Sequence, residues 1–217
     1  MAKAIIFDMD GVLVDSEPLH FASQKHVLSY KGITFTREIH REFIGFSNER
    51  AFWQALNKRY NVSLNIDVLM AERDDYFYSH LHQIKVIRPA FDLLQFCLLR
   101  EVPCGLATSS SRKLINAMMH QFGIDHFFKV KKSGDEVVNG KPAPDIYLEA
   151  AADMGFEPAD CVVIEDSSAG VAAGKAAGMQ VVAVPNEYTR ELDFSQADFV
   201  LESLTKFPAL GLLEALK

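Results

Sequence analysis

Ala4-Ile5-Ile6-Phe7 runs straight into Asp8-Met9-Asp10-Gly11 near the start of this 217-residue chain. The apolar run has strand length and no polar alternation, which is how a strand buried on both faces of a parallel sheet reads. Two carboxylates then follow one residue apart, with a glycine behind them. In an open α/β sheet, ligands bind outside the carboxyl ends of the strands. The stretch therefore points to a fold class and marks Asp8 and Asp10 as candidate functional residues.

Working outward, the same kind of run recurs at Pro103 to Ala107, Cys161 to Ile164 and Val181 to Val184. Helical patterns lie between. Leu114, Ile115, Met118, Met119 and Phe122 share one face, and Gly123 follows as a stop. Ile146, Tyr147, Ala150, Ala151 and Met154 repeat the pattern, with Pro144 before them and Gly155 after. Ala169 to Ala177 is Ala-rich, opens after Ser167 and Ser168, and closes at Gly178. Strand and helix in alternation mean a doubly wound α/β layer fold with a parallel sheet.

From Ser16 to about Gln83 no buried strand is legible. Phe52, Leu56 and Tyr60 fall at helical spacing, and a structureless loop of this length is improbable. The reading is an α/β core over residues 1–15 and 84–217 with a helical domain, residues 16–83, inserted after the first strand. Pro89 is placed to begin a helix from Phe91 to Leu99 as the chain re-enters the core.

Hydrophobic residues make up 49% of the chain, enough for a full core, and 22 Lys and Arg against 29 Asp and Glu give a net charge of −7. That balance lacks the basic stripe of a nucleic-acid binder, so no nucleic-acid partner is expected. There is no apolar stretch long enough to span a membrane and no signal-peptide pattern in MAKAIIFDMD, so a cytoplasmic protein is expected, most simply a monomer. Cys97, Cys104 and Cys161 sit in apolar runs without metal-binding spacing and read as reduced, buried packing residues.

The residues that follow each strand form a chemically coherent set. Asp8, Asp10 and Gly11 follow the first, Thr108-Ser109-Ser110-Ser111 the second, and Glu165-Asp166 the next, with Gly140-Lys141-Pro142 between the last two. Four carboxylates converging without partners would repel one another. A divalent cation resolves this, and hard oxygen ligands without Cys or His favour magnesium. A hydroxyl-rich turn entering a helix suits an anion, and a lysine adds a point charge for phosphate. Together these describe phosphoryl transfer. Asp8 would attack phosphorus, Asp10 would protonate the leaving oxygen and later take a proton from water, and Lys141 would neutralise the transferring oxygens.

Four blocks, in this order, carry a resemblance to a known family: FDMDGVLVDSEPLH (Phe7 to His20), LATSSS (Leu106 to Ser111), NGKPAPDIY (Asn139 to Tyr147) and VIEDSSAGVAAGKAAGM (Val163 to Met179). They span nearly the whole chain. The sequence resembles the haloacid-dehalogenase-like hydrolases, in the branch of β-phosphoglucomutase and phosphoglycolate phosphatase. The resemblance implies a Rossmann-like core with an inserted α-helical cap. It implies Asp8 as nucleophile and Asp10 as acid/base, with Thr108 and Lys141 binding phosphate. Magnesium is then held by Asp8, the backbone carbonyl of Asp10 and Asp166, with Glu165 as a further or outer ligand. Gly11, Ser109, and the cap residues His20 and Asn48 are the remaining substrate-side candidates.

The expected substrate is a small phosphorylated metabolite, a sugar or polyol phosphate. In the mutase a cap arginine grips a second phosphate just after a Gly-x-Ser turn. Here that turn is Gly45-Phe46-Ser47, the expected position holds Asn48, and Arg50 is displaced by two residues, about 200° around a helix. Lys58, Arg59 and Arg73 read as solvated surface charges. The expectation is therefore a phosphatase, with a phosphosugar mutase as the alternative. Re-entry at Pro89-Ala90-Phe91 departs from the family's usual Pro-Gly-Val. A dinucleotide site would need G-x-G-x-x-G after the first strand. The series Gly170, Gly174, Gly178 reads instead as close helix packing.

Overall fold

The computed structural model describes residues 2–41 and 49–212. The chain divides into two compact units, one made of Met1–Asp15 with Val86–Lys217 and the other of Ser16–Lys85.

The larger unit contains strands β1 (Ala4–Phe7) and β2 (Val14–Asp15), and after the insertion β4 (Cys104–Thr108), β5 (Phe128–Ser133), β6 (Cys161–Glu165), β7 (Gln180–Ala183) and β8 (Phe199–Val200); β3 (Lys85–Val86) lies at the boundary. Six of these form one sheet in the order β5-β4-β1-β6-β7-β8, and every neighbouring pair in it is parallel. Helices α5 (Arg88–Leu99), α6 (Arg112–Phe122), α7 (Asp145–Met154) and α8 (Ser168–Ala176) make the crossovers. This is the Rossmann-like, doubly wound architecture the sequence predicts.

Local chemistry sets the ends of these elements. Ser111 accepts from the Leu114 N–H at 3.3 Å and Ser167 from the Gly170 N–H at 3.1 Å, which satisfies orphan donors at the starts of α6 and α8. Gly123 and Gly155 end α6 and α7 at φ +65° and +81°, a conformation a side chain would strain. All four residues of β1 are fully buried, as its unbroken apolar run requires. Cys97, Cys104 and Cys161 are all buried free thiols.

Two core readings need amendment. The strand β5 was not anticipated, because Phe128-Lys129-Val130-Lys131-Lys132-Ser133 is a sheet-edge sequence whose lysines reach acids; Lys131 pairs with Asp125, and Lys132 with Glu149 and Asp153. Close packing holds for Gly174, where a Cβ would stand 2.7 Å from Val181 Cγ2, but Gly178 has open space around it and φ +78°, so it makes a turn after α8.

The smaller unit is helical: α1 (Glu17–Tyr30), α2 (Arg37–Arg41), α3 (Glu49–Tyr60) and α4 (Ile66–Ser79). Its core gathers Val27, Leu28, Phe52, Trp53, Leu56 and Leu69, with Tyr60 half-buried against them. Arg73 is not a solvated charge. It is buried to 8% exposure, lies 4.4 Å from the centre of the Phe77 ring, and pairs with Glu49 and Asp74. Among the described residues, no helix is long and apolar enough to cross a membrane.

Candidate active site

Strand register brings the site together. Phe7 pairs with Leu106 of β4 on one side and Ile164 of β6 on the other, so the next residues, Asp8, Ala107 and Glu165, come abreast at the carboxyl end of the sheet. The Asp8 N–H continues the ladder to the Ile164 carbonyl at 3.0 Å. Beyond it the chain turns sharply. The Leu13 and Val14 N–H groups donate to the Met9 carbonyl at 2.8 and 3.1 Å, and Gly11, at φ +75°, donates to the Val14 carbonyl at 2.8 Å.

Lys141 sits at the centre. Its ammonium donates to Asp8 Oδ1 at 2.7 Å, to Glu165 Oε1 at 2.6 Å and to the Ala107 carbonyl at 3.0 Å, which uses all three of its hydrogens. The Tyr147 ring lies 4.8 Å from the same nitrogen. Burial alone would lower the Lys141 pKa, but the Asp8 and Glu165 carboxylates outweigh it and hold the ammonium well above its ordinary value.

Glu165 is engaged on both oxygens. Oε1 also accepts from Tyr147 OH at 2.7 Å, while Oε2 accepts from Ser167 Oγ at 2.9 Å and from the Asp166 and Ser167 N–H groups at 3.1 and 3.2 Å. A Cβ on Gly170 would stand 1.7 Å from Oε1, so the absence of a side chain on α8 makes room for this carboxylate. Burial raises its pKa, but Lys141 above all, then Tyr147 and Ser167, bring it below the ordinary value. Burial also keeps the Tyr147 phenol well above its ordinary pKa and so protonated as a donor.

Asp10 faces the hydroxyl turn. Its Oδ2 accepts from Ser110 Oγ at 2.6 Å and from Thr108 Oγ1 at 3.3 Å, and the Ser110 N–H returns to Thr108 Oγ1 at 3.1 Å. Ser109 has its side chain at the surface, and its carbonyl is approached by Gly134, where a Cβ would stand 2.3 Å away. Asp166 accepts on Oδ2 from Asn186 Nδ2 at 2.7 Å.

Asp8, Glu165 and Asp166, all buried, each bring a carboxylate oxygen to within 4.8 Å of the others. Burial is the main reason that the Asp8 carboxyl is pushed up to about 8 from an ordinary 3.8; Lys141 opposes this, while Glu165 and Asp10 add to it. Lys141 is shared between Asp8 and Glu165, and carboxylates gathered this closely repel one another. A buried donor set made only of carboxylate oxygens fits a hard divalent cation such as magnesium.

The predicted residues of the larger unit, Asp8, Asp10, Gly11, Thr108, Lys141, Glu165 and Asp166, thus converge, with Ser109 at the margin. His20 belongs to the smaller unit, where its Nδ1 lies 2.6 Å from Arg73 Nη2 and its ring 4.6 Å from that of Phe77. Asn48 lies outside the described residues. Arg50 pairs with Asp67. Sequence reasoning took Ser110 only as part of the hydroxyl turn and passed over Tyr147 and Asn186 as site residues. Asn186 stands three positions beyond the end of β7, so the strand-end rule applied to that strand would have found it.

A model of the family described as haloacid dehalogenase-like hydrolase matches residues 5–184. Among curated relatives, a phosphorylated carbohydrates phosphatase of Thermotoga maritima is 32% identical, over 82% of this chain and 82% of its own. A beta-phosphoglucomutase of Bacillus subtilis is 33% identical, over 84% of this chain and 83% of its own. Among solved structures, CbbY from Rhodobacter sphaeroides in complex with xylulose-(1,5)bisphosphate superposes with a TM-score of 0.86 at 28% identity, covering 98% of this chain and all of that one.

Proposed function

The chain belongs to the haloacid dehalogenase-like hydrolases and is a phosphoric monoester hydrolase, and we propose that it acts on sugar or polyol monophosphates through an aspartyl-phosphate on Asp8, with magnesium as cofactor. The observation that carries this is the Lys141 ammonium, buried and held 2.7 Å from Asp8 Oδ1 beside Asp166 and the hydroxyl-clamped Asp10.

In this reading an Asp8 oxygen forms a bond to phosphorus as the ester P–O bond breaks, and the leaving oxygen takes a proton from Asp10. Water then attacks the phosphorus of the aspartyl-phosphate, Asp10 takes the water's proton, and inorganic phosphate leaves with Asp8 regenerated. Ser110 and Thr108 hold the Asp10 carboxyl in place for both transfers. Asp8, the Asp10 carbonyl and Asp166 would hold magnesium, which supplies positive charge against the transferring oxygens. The oxygens of Glu165 are committed to five donors, so its part is to fix Lys141. Gly11, Thr108 and Ser109 supply the phosphate side of the α/β unit, and the helical unit Ser16–Lys85, which carries His20, is the proposed source of substrate choice.

The relative named beta-phosphoglucomutase keeps a mutase as the second reading. One paired assay separates them. Free phosphate is measured from a panel of sugar monophosphates with magnesium, beside a coupled glucose-6-phosphate dehydrogenase assay on β-glucose 1-phosphate primed with bisphosphate. Phosphate release with negligible isomerisation is the expected result. Rapid primed isomerisation with little phosphate release would replace the hydrolase reading with the mutase.

A further inference from the structure

Asp166 has a partner that lies outside all four blocks of family resemblance. Asn186 follows β7 in the sequence Pro185-Asn186-Glu187-Tyr188-Thr189, and its Nδ2 donates to Asp166 Oδ2 at 2.7 Å. The orientation of this amide is determined by its other end. Asn186 Oδ1 accepts from the Tyr188 N–H at 2.8 Å and the Thr189 N–H at 3.3 Å, so the NH2 group has to point the opposite way, toward Asp166. The turn is closed a second time where the Asn186 N–H donates to Thr189 Oγ1 at 3.1 Å, with Thr189 buried. Such a side-chain-closed turn is a local structure that Asn and Thr form readily.

A third strand end closes on the same point. A Cβ on Gly11 would stand 2.0 Å from Asp166 Oδ2 and 2.8 Å from Asn186 Nδ2. The backbone after β1 is thus pressed against the Asp166–Asn186 hydrogen bond, and that approach is open only to glycine. The ends of β1, β6 and β7 meet around one carboxylate oxygen.

We infer that Asn186 is a positioning residue for magnesium binding, fixing the rotation of the Asp166 carboxylate from a turn that Thr189 braces. The inference rests on the phosphoryl-transfer reading above. A carboxylate held by an outer hydrogen bond loses less freedom on binding a cation, and loss of such a partner typically weakens metal affinity about 10- to 100-fold. Replacing the amide also separates the two jobs of Asn186. A serine still closes the turn through its hydroxyl, but it is too short to reach Asp166.

The test is calorimetric titration of magnesium into the substrate-free protein, with thermal melting in EDTA alongside. Asn186→Ala and Asn186→Ser are both expected to weaken magnesium binding about tenfold or more, while Asn186→Ser melts close to wild type in EDTA. Thr189→Val, which removes the brace and keeps the volume, is expected to weaken binding by a smaller factor in the same direction. Wild-type magnesium affinity in Asn186→Ser would overturn the inference. Should that variant not fold, wild-type affinity in Thr189→Val would do so. Wild type that takes up no magnesium, or an Asp166→Ala variant that binds as wild type does, would bring down the phosphoryl-transfer reading and this inference with it.

Discussion

The Lys141 ammonium donates to Asp8 Oδ1 at 2.7 Å, and both side chains are buried. The same nitrogen reaches Glu165 Oε1 at 2.6 Å, so removing it leaves two carboxylates facing each other without a counter-charge. Breaking a buried pair from one side costs about 3–5 kcal/mol. Lys141→Met is therefore expected to lower the melting temperature in EDTA by roughly 10 °C in a chain of this size, and to reduce phosphate release at least about a hundredfold by the loss of charge stabilisation. A variant melting with wild type and turning over normally would refute the assignment.

Ser110 Oγ donates to Asp10 Oδ2 at 2.6 Å, shorter than the 3.3 Å from Thr108 Oγ1. A hydrogen bond to a charged group contributes about 1.5–3 kcal/mol. If Asp10 moves the proton in both steps, Ser110→Ala should lower kcat roughly ten- to hundredfold with little change in KM. Steady-state kinetics on any accepted sugar monophosphate checks this, and a kcat within a factor of two of wild type would contradict it.

How legible all this was depends on what each residue does besides its chemistry. The strands β1, β4, β6 and β7 could be read because they are buried on both faces and their apolar runs are unbroken. The edge strand β5 could not, because its lysines interrupt any apolar run, while in the fold Lys131 and Lys132 find Asp125, Glu149 and Asp153. Asp8, Asp10, Lys141, Glu165 and Asp166 each read as an ordinary turn or surface residue when taken singly; they stood out through their joint occurrence, in order, with the carboxylates after strand signals and the lysine between two of them. Tyr147 was hidden as a core position of α7, and nothing in a helical pattern tells that its hydroxyl reaches Glu165. Arg73 misled in the opposite sense, since a lone arginine on a polar helix reads as solvated until the acids and the ring that bury it are seen.

Away from the site, Asp198 ties α8 to β7. Lys175 Nζ donates to both of its oxygens at 2.8 Å, and the Val181 N–H donates to Oδ2 at 2.7 Å. Burial raises the Asp198 pKa, but Lys175 and the Val181 N–H outweigh it and bring it below the ordinary 3.8. A carboxyl depressed on folding contributes stability that is present above 3.8 and lost as the pH falls through the lower folded value. Asp198→Asn should therefore melt below wild type at neutral pH, by about 1 kcal/mol or less for so exposed a pair. The gap should close as acid is added through and below 3.8. A gap that widens in acid would reverse the sign of this argument.

The central claim is that the Asp8 carboxylate is the group that attacks phosphorus. Asp8→Asn keeps the size and most of the shape of the side chain while replacing one carboxylate oxygen with an amide nitrogen, which removes the negative charge that makes the group a nucleophile. Its melting curve establishes that the protein folds, and the decisive measurement is the rate of phosphate release from a sugar monophosphate at saturating magnesium, beside wild type. The account predicts that Asp8→Asn keeps less than about a tenth of the wild-type rate, a barrier raised by more than about 1.4 kcal/mol. A folded Asp8→Asn protein that releases phosphate at a rate close to wild type would contradict it.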